Sequence, residues 1–518
     1  MKPPTQRAGP GALSENRFLS MNELANLAQI VTSRRLAVLP VVELDQAADG
    51  RESQLVSVLL TGAGRTEVQA AKALYGQGTP ANLVALKRLK SRVQAKLLNH
   101  LYFLDHTDPL SLVSRRYQMG CLDLLHKGTA LYAEGEYVLS QRLLRRCLTE
   151  AQAGEFTAYA VLSARQLCTI YAQLNKPVAY LQMDGLLQQS LRVQQLEDEA
   201  ERLYTSTSLA LLGPIKNRRA LLPQLPERLR QLEALHRRTK TFNTFSFLYR
   251  LRIAHEELLG NFPELIRLTG VATRQFGQGK LNARRFDLRY NAFIGVIAYL
   301  RGRQPAKGLR LAQEGIGYFA ASSSNWFVFQ EQHLLLALHG KKYAYAQQLL
   351  AEVAQNPAVA KLRPAAVERW ELYRGYVDFV APSAVPAPPA SAAKWALLLP
   401  EYSRDKSGQN VAILVLQLLY YLRQQNLDAA LVRLERLRKY QQRHLADDSA
   451  RRSRLFLRLL RGLADSGFDS AKARKRGQAN LETLTNTPPP GDAFAEVEII
   501  PYEHLWELVL QQAGAVKR

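Results

Sequence analysis

The chain has 518 residues, of which 47% are hydrophobic and 22% are charged, values that exclude disorder over most of its length. Its 69 Lys and Arg residues outnumber 45 Asp and Glu residues, which gives a formal net charge of +24. This excess favours nucleic acid, an anionic membrane surface or an acidic protein as partner, although solubility alone is a simpler reason for it.

The N-terminal region is predicted to combine a short tail with a small helical domain. Residues 1–17 begin MKPPTQRAGPG, lack the apolar run of a secretory signal, and are predicted to be a disordered tail. Residues 18–110 are predicted to form a helical domain of helix-turn-helix-like type, in which glycines separate the helices. The expected helices are Met21–Thr32, Glu52–Leu60, Thr66–Tyr75, with Thr66 as N-cap, and Asn82–Leu104.

The last of these predicted helices, Asn82–Leu104, separates an apolar stripe from a basic face. The cations Lys87, Arg88, Arg92 and Lys96 lie opposite to the leucines or beside them. They are the candidate contacts to nucleic acid or another polyanion, because basic side chains on a helix can lie along phosphates. The alternative is an amphipathic helix that packs on the first repeat and turns a solvated basic face outward.

A recurring helix–turn–helix pattern occupies residues 111–380 and, after an interruption, residues 394–500. In YAEGEYVLSQRLLRRCL, from Tyr132, Gly135 supplies the turn between two apolar helices. YLRQQNLDAALVRLERL, from Tyr421, repeats this order around Gln425. Turns are predicted near residues 135, 175, 260, 302, 341, 425 and 467, a period close to 42 with vacant slots near 217 and 383.

The interruption is APSAVPAPPASAA, and residues 381–393 are predicted to form an exposed loop because proline removes helical hydrogen bonds. The apolar stretch Val411–Leu422 is shorter than the roughly 18 residues of a membrane span. We therefore predict a buried helix there and no membrane insertion. Residues 501–518 are predicted to form a closing helix that starts at Pro501 and carries Leu505, Trp506, Leu508 and Val509 on one side.

The turn and the helix after it resemble the tetratricopeptide repeat, in which an aromatic residue fills the joint and Ala opens the second helix. Tyr137 takes the aromatic place, Ala346 and Ala430 match the Ala, and Ser140 replaces it in the Gly135 unit. The resemblance implies an all-α, right-handed superhelical solenoid of stacked antiparallel helix pairs. It also implies a concave surface that binds a protein or peptide. Longer-helix variants of this repeat occur in bacterial regulatory and scaffold proteins.

A second resemblance concerns the N-terminal region. TEVQAAKALYG followed by LKRLKSRVQAKLL is similar to the positioning and recognition helices of bacterial winged-helix activators. The first helix ends in Leu74, Tyr75 and Gly76, and the second carries Arg88, Ser91 and Arg92. This resemblance implies that the second helix binds DNA. No β-hairpin wing is predicted after Leu104.

Enzymatic signatures are incomplete throughout the chain. In QFGQGKLN, Lys280 follows two glycines, but Arg274 stands where a phosphate-binding loop needs glycine. HEELLG, from His255, lacks the second histidine of a zinc-binding pair. We therefore predict no catalytic, metal-binding or cofactor-binding residue, and no cofactor.

Three cysteines without zinc or redox spacing, Cys121, Cys147 and Cys168, are predicted to be buried thiols of a cytoplasmic protein. In RRSRLFLRLLRGL, residues 451–463, arginines interleave with leucines, a pattern typical of a half-buried helix with a solvated rim. The leading hypothesis is a non-enzymatic scaffold or adaptor whose repeats bind protein. The alternative is a transcriptional regulator that binds DNA through its N-terminal helices and senses a partner through its repeats.

Overall fold

The computed structural model describes residues 21–34, 41–42, 50–62, 64, 66–104, 113–213, 220–381, 409–444, 451–489 and 498–515. Within these ranges the chain contains twenty-one α-helices, four short 3₁₀ helices and no strand. The predicted all-α class is therefore confirmed for the described residues. The predicted tail, residues 1–17, lies outside these ranges, as does the predicted loop except for its first residue.

The α-helices are numbered in chain order. They are α1 (Met21–Arg34), α2 (Arg51–Leu60), α3 (Glu67–Tyr75), α4 (Pro80–His100), α5 (Val113–Ala133), α6 (Tyr137–Ala153), α7 (Thr157–Gln173), α8 (Pro177–Leu211), α9 (Leu225–Thr239), α10 (Phe242–Leu259), α11 (Phe262–Gly277), α12 (Leu288–Arg301), α13 (Pro305–Gly315), α14 (Ser324–His339), α15 (Tyr343–Gln355), α16 (Pro364–Val380), α17 (Gln409–Arg423), α18 (Leu427–His444), α19 (Arg451–Asp465), α20 (Ser470–Asn486) and α21 (Tyr502–Ala515). The 3₁₀ helices are Leu101–Phe103, Leu222–Gln224, Ile316–Tyr318 and Pro357–Lys361.

The chain divides into two compact units. The first comprises Met1–Ser111, Met119–Leu148 and Leu162–Met183, and the second comprises Leu112–Gln118, Thr149–Val161 and Asp184–Arg518. In the first unit, α2, α3 and α4 pack against one another around a small core that includes Leu55, Leu86 and Val93. The three cysteines are buried, as predicted.

The N-terminal helices start where local hydrogen bonds satisfy their first amides. Thr66 is the predicted N-cap, and it forms a capping box in which its hydroxyl and the Gln69 side chain each accept a backbone amide. The helix predicted to reach Leu104 instead ends at His100, where the backbone tightens into a 3₁₀ turn. Leu101 and Leu104 are therefore half exposed and extend the apolar stripe no further.

All seven predicted turns are present and close in the same way. A residue in the left-handed backbone region ends the first helix, and the next amide donates to the carbonyl five residues earlier. This arrangement satisfies carbonyls that the helix end would otherwise leave without a donor. The left-handed residues are Gly135, Asn175, Gly260, Arg303, Lys341, Gln425 and Gly467.

Three further left-handed turns join helices where no turn is predicted from the sequence. The turns at Glu155 and Gly279 have the same hydrogen bond to the carbonyl five residues earlier. At the third turn, the Lys240 amide donates to the carbonyl of His236, four residues earlier. At the predicted turn near 302, Arg303 takes the left-handed place, and Gly302 permits a close approach. A Cβ on Gly302 would lie 2.7 Å from the carbonyl oxygen of Ala298.

In the second unit, each helix from α9 to α20 contacts the next helix in the chain. The largest apolar core runs from α12 to α21 and contains most of α17, which confirms that Val411–Leu422 is a buried helix. Ala346 and Ala430, the residues that match the small residue of the repeat, are fully buried, as is Ser140 in its own helix.

The predicted closing helix is α21, which packs against α17, α19 and α20. Its predicted apolar side is buried at Leu505, Trp506 and Val509. Burial of these side chains covers the end of the core as a neighbouring repeat would. A helix is therefore present over Tyr502–Ala515, within the segment that was predicted to close the repeats.

A buried arginine fixes α21 to the helices beneath it. Arg452 is 3% exposed, and its guanidinium donates to the carboxylates of Glu498 (2.5 Å) and Glu503 (2.9 Å). It also donates to the carbonyl oxygens of Leu484 and Thr487, each at 2.7 Å. Such a pair is stable only because every buried charge has hydrogen-bond partners.

Two turns of the repeat region reach the same helix. Arg303 pairs with Glu503 at 3.1 Å, and Lys341 pairs with Glu507 at 2.9 Å. The acidic side of α21 is therefore held at three separate places, one on α19 and one at each of these turns.

Candidate functional site

The four candidate polyanion contacts lie on α4, and the structure divides them into two pairs. Lys87 and Arg88 are exposed and, within the described part of the chain, have no ion-pair partner. Lys96 is half-buried and binds the Glu52 carboxylate of α2 at 2.6 Å. Arg92 is exposed, with its Nε 3.8 Å from the same carboxylate. Lys87 and Arg88 are therefore the more available contacts.

The connection between α3 and α4 is a tight turn. Gly76 ends α3 in the left-handed region, and the Thr79 hydroxyl caps α4, whose first residue is Pro80. Lys90 of α4 also pairs with Glu67 of α3 at 2.9 Å. The turn therefore brings α4 back beside α3, and this exposed pair links the two helices.

A cavity of about 530 Å³ opens in the second unit between α9, α10 and α11. This volume lies within the range of ligand sites in proteins. Its apolar wall contains Phe242, Phe245, Leu248, Tyr249, Leu268 and Val271. Its polar wall contains Glu155, His236, Lys240, Arg252, Arg267 and Lys280.

The Glu155 carboxylate ties together three turns at one end of the cavity. Glu155 itself is the left-handed residue of the α6–α7 turn. Its carboxylate accepts from the Phe242 amide at 2.6 Å and from the Asn282 side chain at 2.8 Å. Asn282 also donates to the Ala153 carbonyl oxygen at 2.9 Å. Hydrogen bonds thus join Glu155 to Asn282, which is 127 positions later in the chain.

Arg285 also contacts these turns. Its guanidinium donates to the carbonyl oxygens of Gly154 (3.0 Å) and Glu155 (2.8 Å). It also lies over the rings of Phe156 and Phe242, a favourable cation–π geometry. Burial lowers the pKa of Arg285, and the nearby Glu155 carboxylate opposes that shift. Arg285 therefore links the α6–α7 turn to the start of α10 at this end of the cavity.

Two of the cavity's arginines are already paired. Arg252 binds Glu233, and Arg267 binds Glu264 through two bonds of 2.6 Å. The hydrogen bond from Arg267 lowers the pKa of Glu264. A second cavity, of about 350 Å³, shares both arginines and lies on their other side.

Two lysines supply the cavity's unbalanced charge. Lys240 and Lys280 are exposed, and neither has an ion-pair partner among the described residues. Burial, followed by the nearby Arg252 charge, lowers the pKa of His236, whose Nδ1 lies 2.9 Å from the Thr244 hydroxyl. Burial therefore disfavours the charged form of His236, and Lys240 and Lys280 are the cavity's cations without an ion-pair partner among the described residues.

The two segments whose enzymatic signatures are incomplete both lie at these cavities. Lys280 and Asn282 of QFGQGKLN line the larger one, and His255 of HEELLG lines the smaller one. Neither the period nor the motifs predicted this. The available signal was the long connection between α11 and α12, because such connections often carry binding residues.

The described ranges contain no group of three or more His, Cys, Asp or Glu side chains placed to hold a metal ion. Among the described helices, none has the length and apolar character needed to cross a bilayer. Comparisons of the chain with family models, with curated proteins and with solved structures find no match.

Proposed function

We propose that the chain is a non-enzymatic adaptor of tetratricopeptide-repeat-like architecture. In this proposal the helix pairs stack into a right-handed superhelix, and a protein or peptide partner binds along its concave surface. The recurring left-handed turn and the buried small residues Ala346 and Ala430 support it. The proposal places the adaptor in the cytoplasm, where buried thiols stay reduced.

The observation that carries the proposal is the cavity between α9, α10 and α11. It combines an aromatic wall with two unpaired lysines, Lys240 and Lys280. A partner segment can bury an apolar side chain against Phe245 and Leu268 while its acidic groups meet the lysines. Sites of this composition bind by desolvating apolar surface and use a few polar groups for orientation.

The proposal is tested by selecting peptides from a random displayed library against the full chain. Affinity is then measured by fluorescence anisotropy for the wild type, Gln275→Trp and Lys240→Glu/Lys280→Glu. We expect Gln275→Trp to block the cavity and the lysine reversal to abolish binding of acidic peptides. The matched control is Arg237→Glu/Arg238→Glu, which reverses two exposed charges of α9 outside the cavity lining.

Two results would contradict the adaptor function. One is a selection that yields no peptide above background. The other is a set of peptides whose affinity is the same for the wild type and both cavity variants. Circular dichroism of each variant checks that the helices remain folded.

The tight turn between α3 and α4 favours a second candidate function, a transcriptional regulator that binds DNA through α4. In this proposal Lys87 and Arg88 contact the duplex. Titration of duplex DNA at several salt concentrations with Lys87→Gln/Arg88→Gln tests it. Unchanged DNA affinity in that variant would remove α4 from the interface.

A further inference from the structure

The strongest row of charge in the structure lies along α19. Arg451, Arg454, Arg458 and Arg461 follow one another at intervals of three and four residues, which places them on one face of the helix. We call this row the arginine stripe. At 1.5 Å per residue it is about 15 Å long.

The stripe faces outward because the rest of α19 is fixed in the core. Leu455, Phe456, Leu459, Leu460 and Leu463 are buried on the opposite side. Buried Arg452 locks the same helix through its own carboxylate partners and does not belong to the stripe. The stripe therefore lies along the solvent-facing side of α19, with Arg451 and Arg458 exposed and Arg454 and Arg461 half-buried.

Neighbouring helices extend this basic surface. Arg461 donates to the Gln441 side chain of α18 at 2.8 Å, and Arg476 of α20 lies 3.9 Å from Asp465, the residue that follows the stripe on the same face. Lys472 lies one turn before Arg476 on the same side of α20, and Arg474 and Lys475 are further exposed cations of that helix. Between residues 451 and 476 there are nine Lys and Arg residues and two Asp or Glu residues.

We propose that the arginine stripe and the cations of α20 bind the phosphate backbone of nucleic acid. The planar guanidinium group donates two parallel hydrogen bonds to a phosphate, which makes arginine well suited to this role. One strand carries a phosphate about every 3.4 Å along the duplex axis, so a row of about 15 Å is long enough to contact several phosphates. The charge of the surface is complementary to that of the ligand over this whole length.

The surroundings of the stripe favour nucleic acid over a membrane or a protein. Among the described residues of α19 and α20, no large apolar side chain is exposed. A helix that lies in a membrane surface inserts an apolar face, whereas the apolar face of α19 is in the core. The centre of a protein interface is likewise apolar or aromatic. A surface of cations without exposed apolar groups fits phosphates.

Binding of this kind does not depend on base sequence, because phosphate contacts carry no sequence information. It is also independent of the proposed adaptor cavity, since α19 and α20 do not line it. The inference thus adds a second interaction surface, and it stands or falls separately from peptide binding and from DNA binding by α4.

The test measures affinity of the full chain for a duplex DNA and for a single-stranded RNA over a range of salt concentrations. The test variant is Arg451→Gln/Arg458→Gln/Arg461→Gln. The control, Arg238→Gln/Lys307→Gln/Arg363→Gln, removes the same charge from three exposed and separate positions. Thermal unfolding of all variants checks the fold, and Arg451→Lys/Arg458→Lys/Arg461→Lys keeps the charge in place.

We expect the test variant to flatten the slope of log affinity against log salt by about 2.7 on duplex DNA and about 2.1 on single-stranded RNA. The lysine variant should keep the wild-type slope, and so should the control. The nucleic acid that binds more tightly to the wild type identifies the source of the phosphates.

Three results would overturn the inference. The first is no binding of either nucleic acid at 50 mM salt, and the second is an equal loss of slope in the control, which would assign the effect to net charge. The third is binding to vesicles of phosphatidylserine and phosphatidylcholine that the test variant abolishes, while its nucleic-acid affinity is unchanged.

Discussion

Replacing Arg452 by methionine tests the way in which α21 is held. The substitution keeps roughly the volume of the side chain but removes the guanidinium that donates to Glu498, to Glu503 and to the carbonyl oxygens of Leu484 and Thr487. Removing one partner of a buried ion pair costs about 3–5 kcal/mol. Because the side chains of Glu498 and Glu503 remain 14% and 16% exposed, we expect the lower end, about 3 kcal/mol.

The effect is measured by native-state hydrogen exchange, which reports the free energy of local opening. A loss of about 3 kcal/mol speeds exchange of the α21 amides about 10²-fold. Arg458→Met, on the exposed side of the same helix, should leave these amides unchanged. The double variant Arg452→Met/Glu498→Gln should recover part of the loss, since it removes the buried carboxylate that has lost its cation, while Glu503 keeps its pair with Arg303.

The reasoning about Arg452 would be refuted by α21 amides that exchange at the wild-type rate in Arg452→Met. It would also be refuted if the exposed substitution Arg458→Met produced the same acceleration. Either result would mean that apolar packing alone holds the closing helix.

Three further predictions concern stability and are all measured by urea denaturation. Gly308→Ala should lower the free energy of unfolding by about 1–3 kcal/mol, because its Cβ would lie 2.6 Å from Leu336. Gly462→Ala should raise the free energy of unfolding by about 0.5–1 kcal/mol, because no atom lies within 4 Å of its Cβ. Gln425→Gly should raise it by about 1 kcal/mol because glycine has no Cβ penalty in the left-handed region; no gain would contradict this. Burial lowers the pKa of His333 to about 4, so the unfolded chain takes up the proton first. The contribution of His333 to the free energy of unfolding should therefore fall by about 3 kcal/mol between pH 6.5 and pH 4. The fall should be shallower by that amount in His333→Asn, and an equally steep fall would refute the assignment.

The turns could be predicted from the sequence because each separates two apolar helical patterns by a short polar break. At Gly135 and Gly260 a glycine indicates the turn. At Gln425 only the position within the repeat period indicates the turn. The turns at Glu155 and Lys240 carry no such mark, since neither residue type is typical of a left-handed turn. Backbone hydrogen bonds, and not residue identity, determine them.

The cavity could not be predicted, because its residues come together only through tertiary contacts. Glu155 and Asn282 are 127 positions apart, yet they share a hydrogen bond. No local period relates such positions. The arginines of α19 were visible as a cluster, and Arg452 differs from the stripe by falling outside its spacing of three and four residues. A position outside this spacing therefore indicates that Arg452 lies on a different face of the helix from the stripe. The acidic partners of Arg452 cannot be predicted from the spacing.

The three attachments of α21 also determine how the second unit would respond to mechanical tension. Helical repeats pulled from one end normally peel away one after another, because each holds only its neighbour. A pull on α21 would instead load Arg303, Lys341 and Arg452 together. Detachment of α21 would therefore have to break contacts with turns distant in the chain as well as its packing on neighbouring helices.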